Sequence, residues 1–551
     1  MARTEIHRHP QSHKPQATLT DISSDDSFEF VLHRLQYCKR NHPQCSQRSP
    51  TFQPSRLIHC ADIDGQLQLL EHDQAVPNSS PVGYVALSYC WGSLGFFKTT
   101  RTNIDQLKRG FRLSDLPKTI QDAIYVTRQL GIPYIWIDAL CIVQDDTADW
   151  EKESGMMADV YSNAHVTLAA LSAASVTEGF LHLNRTPVRI TRILSGEDGV
   201  TTVLVAQEKI RTGLHASSLQ NDWNPTLGTQ DGDFDPVQKR GWCFQEETLS
   251  RRFVAYSRHE IQWSCRTELS CQCQPLDYDE NPRAIPQTWN LRDNPFRYWA
   301  EMLPSYSNRS LTFLNDKLPA ISGLARQIQR ITAADYVAGI WLHDLKRSLG
   351  WTLQDDVTSC PSTYRAPSFS WASIDSPIFM ATAADPLPGI VSVVSWDVKL
   401  KGQDPFGEIK HASLTVSGFV HAATITHQPE GFEGFAYRVT IANKTAVLEE
   451  DTHLVKFQTK DLAGRGCWSV RRSQEEVKYS HGECDPSVTV RALCLGAGKT
   501  AAQFLVLGLC PDDPRMLERI GSATFTAAIS SFEDFVRGVT RDCHRQTVTL
   551  V

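Results

Sequence analysis

The chain has 551 residues, too many for one hydrophobic core, so two or more domains are expected. Apolar residues make up 41% and charged residues 21%, a balance that excludes a wholly disordered chain. A net charge of -7 argues against a nucleic-acid-binding surface, and no apolar stretch reaches bilayer length, so neither nucleic acid nor membrane is an expected partner.

The fifteen cysteines are scattered without framework spacing, and MARTEIHRHPQSHK at the start is basic and polar with no apolar centre. A reducing compartment with free thiols, the cytoplasm, is the expectation. Residues 1–28 read as a polar disordered tail. In the N-terminal module, 29–81, FEFVLHRLQYCKRNHPQC gathers Cys38, His42 and Cys45. Zinc would need a fourth ligand, and Cys60 is the nearby candidate. A helix end carrying ordinary thiols, with no metal, is the preferred reading.

Residues 82–265 carry an α/β pattern. YVALSYCW (84–91) is a continuous apolar run of strand length, as in a strand covered on both faces. LSDLPKTIQDAIYVTRQLG predicts a helix capped by Ser114 or Asp115, with Pro117 in its first turn and Gly131 at its end. IPYIWIDAL follows as a second buried strand, so the βαβ unit should place the two strands parallel. A helix over about 146–163 and a third strand, HVTLAAL (165–171), come next. TLGTQDGDFDP reads as an exposed loop, and RFVAY and EIQWSC as paired strands. Residues 266–385 form a helix-rich extension, and 386–551 a β-rich C-terminal domain of alternating segments.

Ligands of parallel sheets bind beyond the carboxyl ends of the strands. The first strand ends in Ser88, Trp91 and Gly92, the second in Asp138, Cys141 and Gln144. As neighbours these groups would share one edge. On the second helix Glu153 falls within the stripe of Trp150, Met157 and Tyr161, a buried carboxylate that is either a structural ion pair, with Arg240 as partner, or a tuned acid/base. Cys141 is either a small core residue or a nucleophile whose base comes from elsewhere in the fold. One of Asp138, Asp145 and Asp146 should cap the next helix. In KRGWCFQEETLSRR, Arg240, Trp242, Gln245 and Glu246 add a cation, an aromatic, an amide and a carboxylate at the start of a helix. LCLGAGKTAAQ fails as a P-loop because Leu493 stands in place of its first glycine, and the C-x-C of Cys271 and Cys273 is a weak metal signal.

VALSYCWG (85–92), LPKTIQDAIYVTRQLGIPYIWIDALCIVQDDTADWEKESGMMADVYSNAHVTLAA (116–170) and RGWCFQEETLSRR (240–252) resemble the three blocks of the fungal heterokaryon-incompatibility (HET) domain. Downstream LPAISGLA, AGIW and RAPSFSWASID resemble the region that usually follows, and CKRNHPQC the segment often found ahead. The resemblance implies a parallel-sheet α/β fold, Toll/interleukin-1 receptor (TIR)-like or Rossmann-like, and a role in non-self recognition and cell-death signalling through self-association or a partner protein. Through the TIR likeness it also implies NAD or nucleotide cleavage by a glutamate, with NAD as substrate rather than cofactor. No HET block spells out the TIR motif, so Glu153 is matched by environment, with Glu246 second. Ser88, Trp91, Gly92, Asp138, Gln144, Arg240, Trp242 and Gln245 would line the substrate. Cys243 departs from the Thr or Ser expected after Gly241-Trp242. The alternative is a tailoring enzyme of secondary metabolism with Cys141 or Glu153 as reactive group.

Overall fold

A computed structural model describes the chain from Ile22 to Val551, outside the longer segments 62–65, 72–81, 182–188, 196–200, 208–233, 273–282, 285–290, 355–359, 381–389, 428–436, 461–465, 473–487, 498–500 and 527–544, and a few shorter gaps. The first 21 residues, most of the TLGTQDGDFDP loop and Cys273 therefore lie outside the described residues. The chain divides into two compact units: 1–150 with 159–238 and 250–285, and 151–158 with 239–249 and 286–551.

The first unit opens with helix α1 (Asp25–Asn41), which begins inside the expected polar tail. Ser24 caps it, accepting from Ser27 N at 3.3 Å, and Asp25 and Asp26 suit the positive end of the helix dipole. The short α2 (Pro43–Ser46) follows at once. Strands β1 (Arg56–His59), β2 (Gln66–Glu71) and β3 (Tyr84–Ser88) come next, then helix α3 (Ile104–Arg109) and the short β4 (Phe111–Arg112). Helix α4 (Lys118–Gln129) leads to β5 (Tyr134–Trp136), the helical turn α5 (Asp138–Cys141), α6 (Thr147–Asn163) and β6 (Val166–Ala169). A separate hairpin, β7 (Arg189–Ser195) and β8 (Thr201–Gln207), precedes β9 (Arg252–Tyr256), β10 (Ile261–Cys265), β11 (Glu268–Cys271) and β12 (Arg283–Ala284).

All but the β7–β8 hairpin join one ten-stranded sheet, ordered β12-β11-β10-β9-β6-β3-β5-β1-β2-β4. Its centre is parallel: β3 lies between β5 and β6, pairing Val85 with Ile135 and with Val166, and β9 is parallel to β6. Both flanks are antiparallel. The expected βαβ unit is present, and the sheet as a whole is mixed rather than purely parallel. All five residues of β3 and all four of β6 are buried, which explains their unbroken apolar sequence.

Two local expectations are corrected. Pro117, not Ser114 or Asp115, is the N-cap residue of α4, and Asp115 belongs to a preceding 3-10 turn, 113–115. The second strand stops at Trp136: from Asp138 the backbone is helical, so Cys141 does not continue the strand face of Ile135. One expectation holds, because Asp146 caps α6, its Oδ1 accepting from Ala148 N at 3.0 Å and Asp149 N at 3.3 Å.

The second unit combines helices with a nine-stranded sheet. Its core is continuous between them, from Phe244, Trp299, Leu324, Trp341 and Trp371 to Leu414, Leu493 and Leu505. Strand 409–427 pairs with 488–497; the ladder continues through 501–509 and 516–526, and 545–550 pairs back with both 516–526 and 409–427, closing a circuit. Closure covers much of the strand edge that an open sheet would expose. Inside, Arg519 is fully buried, bonded to Asp451 at 2.7 Å and 3.0 Å and stacked 3.4 Å over the Trp351 ring.

Candidate functional site

At the carboxyl ends of β3 and β5 the sequence places polar groups on an apolar sheet, and the structure brings two of them together. Trp91 Nε1 donates to Asp138 Oδ2 at 2.9 Å, and Asp138 Oδ1 accepts from Ala139 N at 2.7 Å. Asp138 thus opens the turn α5 and fixes the Trp91 indole with the same carboxylate. Gln144 reaches back to the same turn, its Nε2 donating to the carbonyls of Asp138 and Ile142, each at 3.1 Å. Trp91, Asp138 and Gln144 are half-buried, so this cluster is accessible from solvent. Gly92 has φ +80°, and a Cβ there would stand 2.6 Å from Ser175 Oγ, so two requirements at once select glycine.

Ser88 is buried at the end of β3, and its Oγ has no hydrogen-bond partner among the described residues. Cys141 is completely buried, and its carbonyl accepts from Arg56 at 3.0 Å. Arg56 also grips Asp149 bidentately at 2.9 Å and 2.7 Å, and Asp149 Oδ2 accepts from Val143 N at 2.8 Å. Asp149 therefore anchors the loop between α5 and α6. Sequence reading missed it because an acid in a first helical turn needs no other explanation.

The other candidates belong to the second unit. Glu153 is completely buried, as its place in the stripe predicts, with Lys152 Nζ 3.7 Å from Oε1; Trp150, expected in the same stripe, is 39% exposed. Helix α7 (Gly241–Leu249) carries Trp242, Gln245 and Glu246, and Glu246 lies mid-helix rather than at its start. Trp242 Nε1 donates to Asp316 Oδ2 at 2.9 Å, and burial raises the pKa of that carboxyl. Gln245 Oε1 accepts from Gly323 N at 3.3 Å, at a close approach where a Cβ on Gly323 would meet Ala158 Cβ at 2.3 Å. These bonds give Trp242 and Gln245 packing duties. Glu246 is buried, and Arg240 forms a backbone bridge with Ser310. The expected site residues are thus shared between the units: Ser88, Trp91, Gly92, Asp138, Cys141 and Gln144 in the first, and Glu153, Arg240, Trp242, Gln245 and Glu246 in the second.

A further constellation lies in the first unit. Cys38, His42, Cys45 and Cys265 are all buried, and their donor atoms lie within 4.8 Å of one another. The fourth member is Cys265, at the end of β10. Cys60, the expected fourth candidate, instead turns its thiol toward Pro133 O at 3.4 Å, and burial pushes that thiol up to about 12. Hydrogen bonding with Cys265 and then Cys38 pulls the Cys45 thiol far below its ordinary range, while hydrogen bonding with Cys38 and then Cys45 raises that of Cys265.

Residues 84–246 match the family model described as Heterokaryon incompatibility protein (HET). The chain is similar to Heterokaryon incompatibility protein 6, OR allele, of Neurospora crassa: 32% identical over 110 residues, 18% of this chain and 15% of the relative. It therefore spans a small part of that relative's length. No solved structure matches the chain. Among the described residues no helix is long and apolar enough to cross a membrane.

Proposed function

We propose that this protein, which carries a heterokaryon-incompatibility (HET) domain over residues 84–246, acts in fungal non-self recognition, its HET domain triggering growth arrest or cell death. The observation that carries the reading is the match of this segment, which holds β3, α4, β5, α6 and β6, together with the similarity to a protein named for heterokaryon incompatibility. Within it, the solvent-accessible Trp91–Asp138 pair at the carboxyl ends of the parallel strands is the surface we assign to ligand or partner contact. Induced expression of the full chain in a filamentous fungus should stop growth. Unimpaired growth at a matched level of folded protein would sink the reading.

A chemical version of the same role is cleavage of NAD or a related nucleotide, with Glu153 as the carboxylate. Its support is burial: a carboxylate withdrawn from water is destabilised in its charged form, the condition under which acid/base groups are tuned. Purified protein should release nicotinamide from NAD, and Glu153→Gln should abolish the release in a protein that still folds. Wild-type protein that leaves NAD intact in monomeric and assembled form contradicts this version and leaves the recognition role standing. The tailoring-enzyme reading has less support, because Cys141 sits with no exposed surface inside a turn held by Arg56.

A further inference from the structure

We infer that Cys38, His42, Cys45 and Cys265 bind one zinc ion that ties the N-terminal helices to the antiparallel end of the first unit's sheet. The ligands come from two distant places in the chain. Cys38 and His42 are one helical turn apart at the end of α1, where His42 N donates to Cys38 O at 3.0 Å. The bend into α2 brings Cys45 round to the same side, with Cys45 N bonded to His42 O at 3.0 Å. Cys265 arrives from the end of β10.

The geometry suits a tetrahedral ion. With Zn–S about 2.3 Å and Zn–N about 2.05 Å at the tetrahedral angle, a sulfur and a nitrogen ligand stand about 3.6 Å apart. Cys265 Sγ and His42 Nδ1 are 3.5 Å apart. Three sulfurs and one imidazole favour zinc over magnesium or calcium, which take oxygen ligands. Four protein ligands leave no open position, so the role is structural rather than catalytic.

The surroundings match as well. Glu268, on the neighbouring β11, is completely buried, with Oε2 3.7 Å from His42 Nε2. A carboxylate facing the far ring nitrogen favours the proton on that side, which frees the Nδ1 lone pair for the metal. Thr267 Oγ1 lies 3.7 Å from Cys45 Sγ. Charge balance agrees. Zinc with three thiolates carries one negative charge and Glu268 a second, opposite the buried guanidiniums of Arg251 and Arg252. Arg252 Nε donates to Cys38 Sγ at 3.2 Å, and Arg251 donates to the carbonyls of Cys45, Asn163 and Ala164. Among the described residues their bonds go to sulfur and backbone rather than to carboxylates, so thiolates supply the negative charge that two buried arginines require.

The test uses the full chain, purified without chelator, with metal content measured by mass spectrometry and a cobalt(II) titration of the stripped protein. The expected result is about one zinc per chain and the visible bands of tetrahedral thiolate-bound cobalt. Glu268→Gln, nearly isosteric, should weaken zinc binding roughly ten- to a hundredfold. Cys265→Ser should lower metal content and change the cobalt spectrum, whereas Cys60→Ser should do neither. If Cys265→Ser fails to fold, the Glu268→Gln and Cys60→Ser pair still decides. Folded wild-type protein that holds no zinc and gives no cobalt bands overturns the inference, as does binding that is lost with Cys60 and indifferent to Glu268.

Discussion

Replacing Asp138 with alanine removes one carboxylate that two donors share, Trp91 Nε1 at 2.9 Å and Ala139 N at 2.7 Å. A hydrogen bond to a charged group contributes about 1.5–3 kcal/mol, and the half-buried setting reduces this to about 1–2 kcal/mol for Asp138→Ala. Trp91→Phe keeps the ring packing but deletes the donor, and should cost about 1 kcal/mol. If the clamp is one interaction, the double variant should cost about 1 kcal/mol less than the sum of the singles. Urea unfolding followed by circular dichroism measures all four proteins. Costs that add within about 0.3 kcal/mol would show that the indole and carboxylate are not coupled and would refute the reasoning.

Three further outcomes are expected. Asp451→Ala should destabilise the second unit by about 3–5 kcal/mol, because Arg519 would remain charged in the core; a thermal midpoint unchanged from wild type would contradict that. Gly323→Ala should cost about 1–3 kcal/mol, since its Cβ would meet Ala158 Cβ at 2.3 Å, and calorimetry would expose the error if the variant melts no earlier. Lys317 is buried, and burial, then Arg365, lowers its pKa from 10.5 to about 7. The native state then holds a neutral amine where the unfolded state is charged, so stability from this group is present above pH 10.5 and lost as pH falls toward 7. Lys317→Met should therefore gain more over wild type at pH 7 than at pH 10; an equal gain at both would count against the shift.

Fold and site are legible in the sequence where a signal is local and periodic. Unbroken apolar runs identified β3 and β6, helical spacing placed Glu153 inside, and the HET blocks agree with the family match over 84–246. They are not legible where tertiary pairing decides. The second strand gave way to the turn α5 because Asp138 bonds the backbone of Ala139, an option that apolar periodicity does not register. β1 and β2, from residues 29–81, join the same sheet as β3 and β5 through antiparallel pairs, a pairing that no local signal in the sequence announces. Cys265 could not be paired with Cys38, His42 and Cys45 by spacing, since only the register of β10 brings it there.

The account's central claim, that this protein, whose residues 84–246 match the HET family model, triggers growth arrest or cell death, is tested most directly by following hyphal extension and vital-dye uptake in a filamentous fungus after induction. Wild type is compared with Asp138→Asn, which keeps an acceptor for Trp91 but removes the charge at the assigned surface. The account predicts arrested extension or rapid dye uptake with wild type and loss of that effect with the equally abundant variant. Continued hyphal extension with dye exclusion by cells full of folded wild-type protein would contradict it.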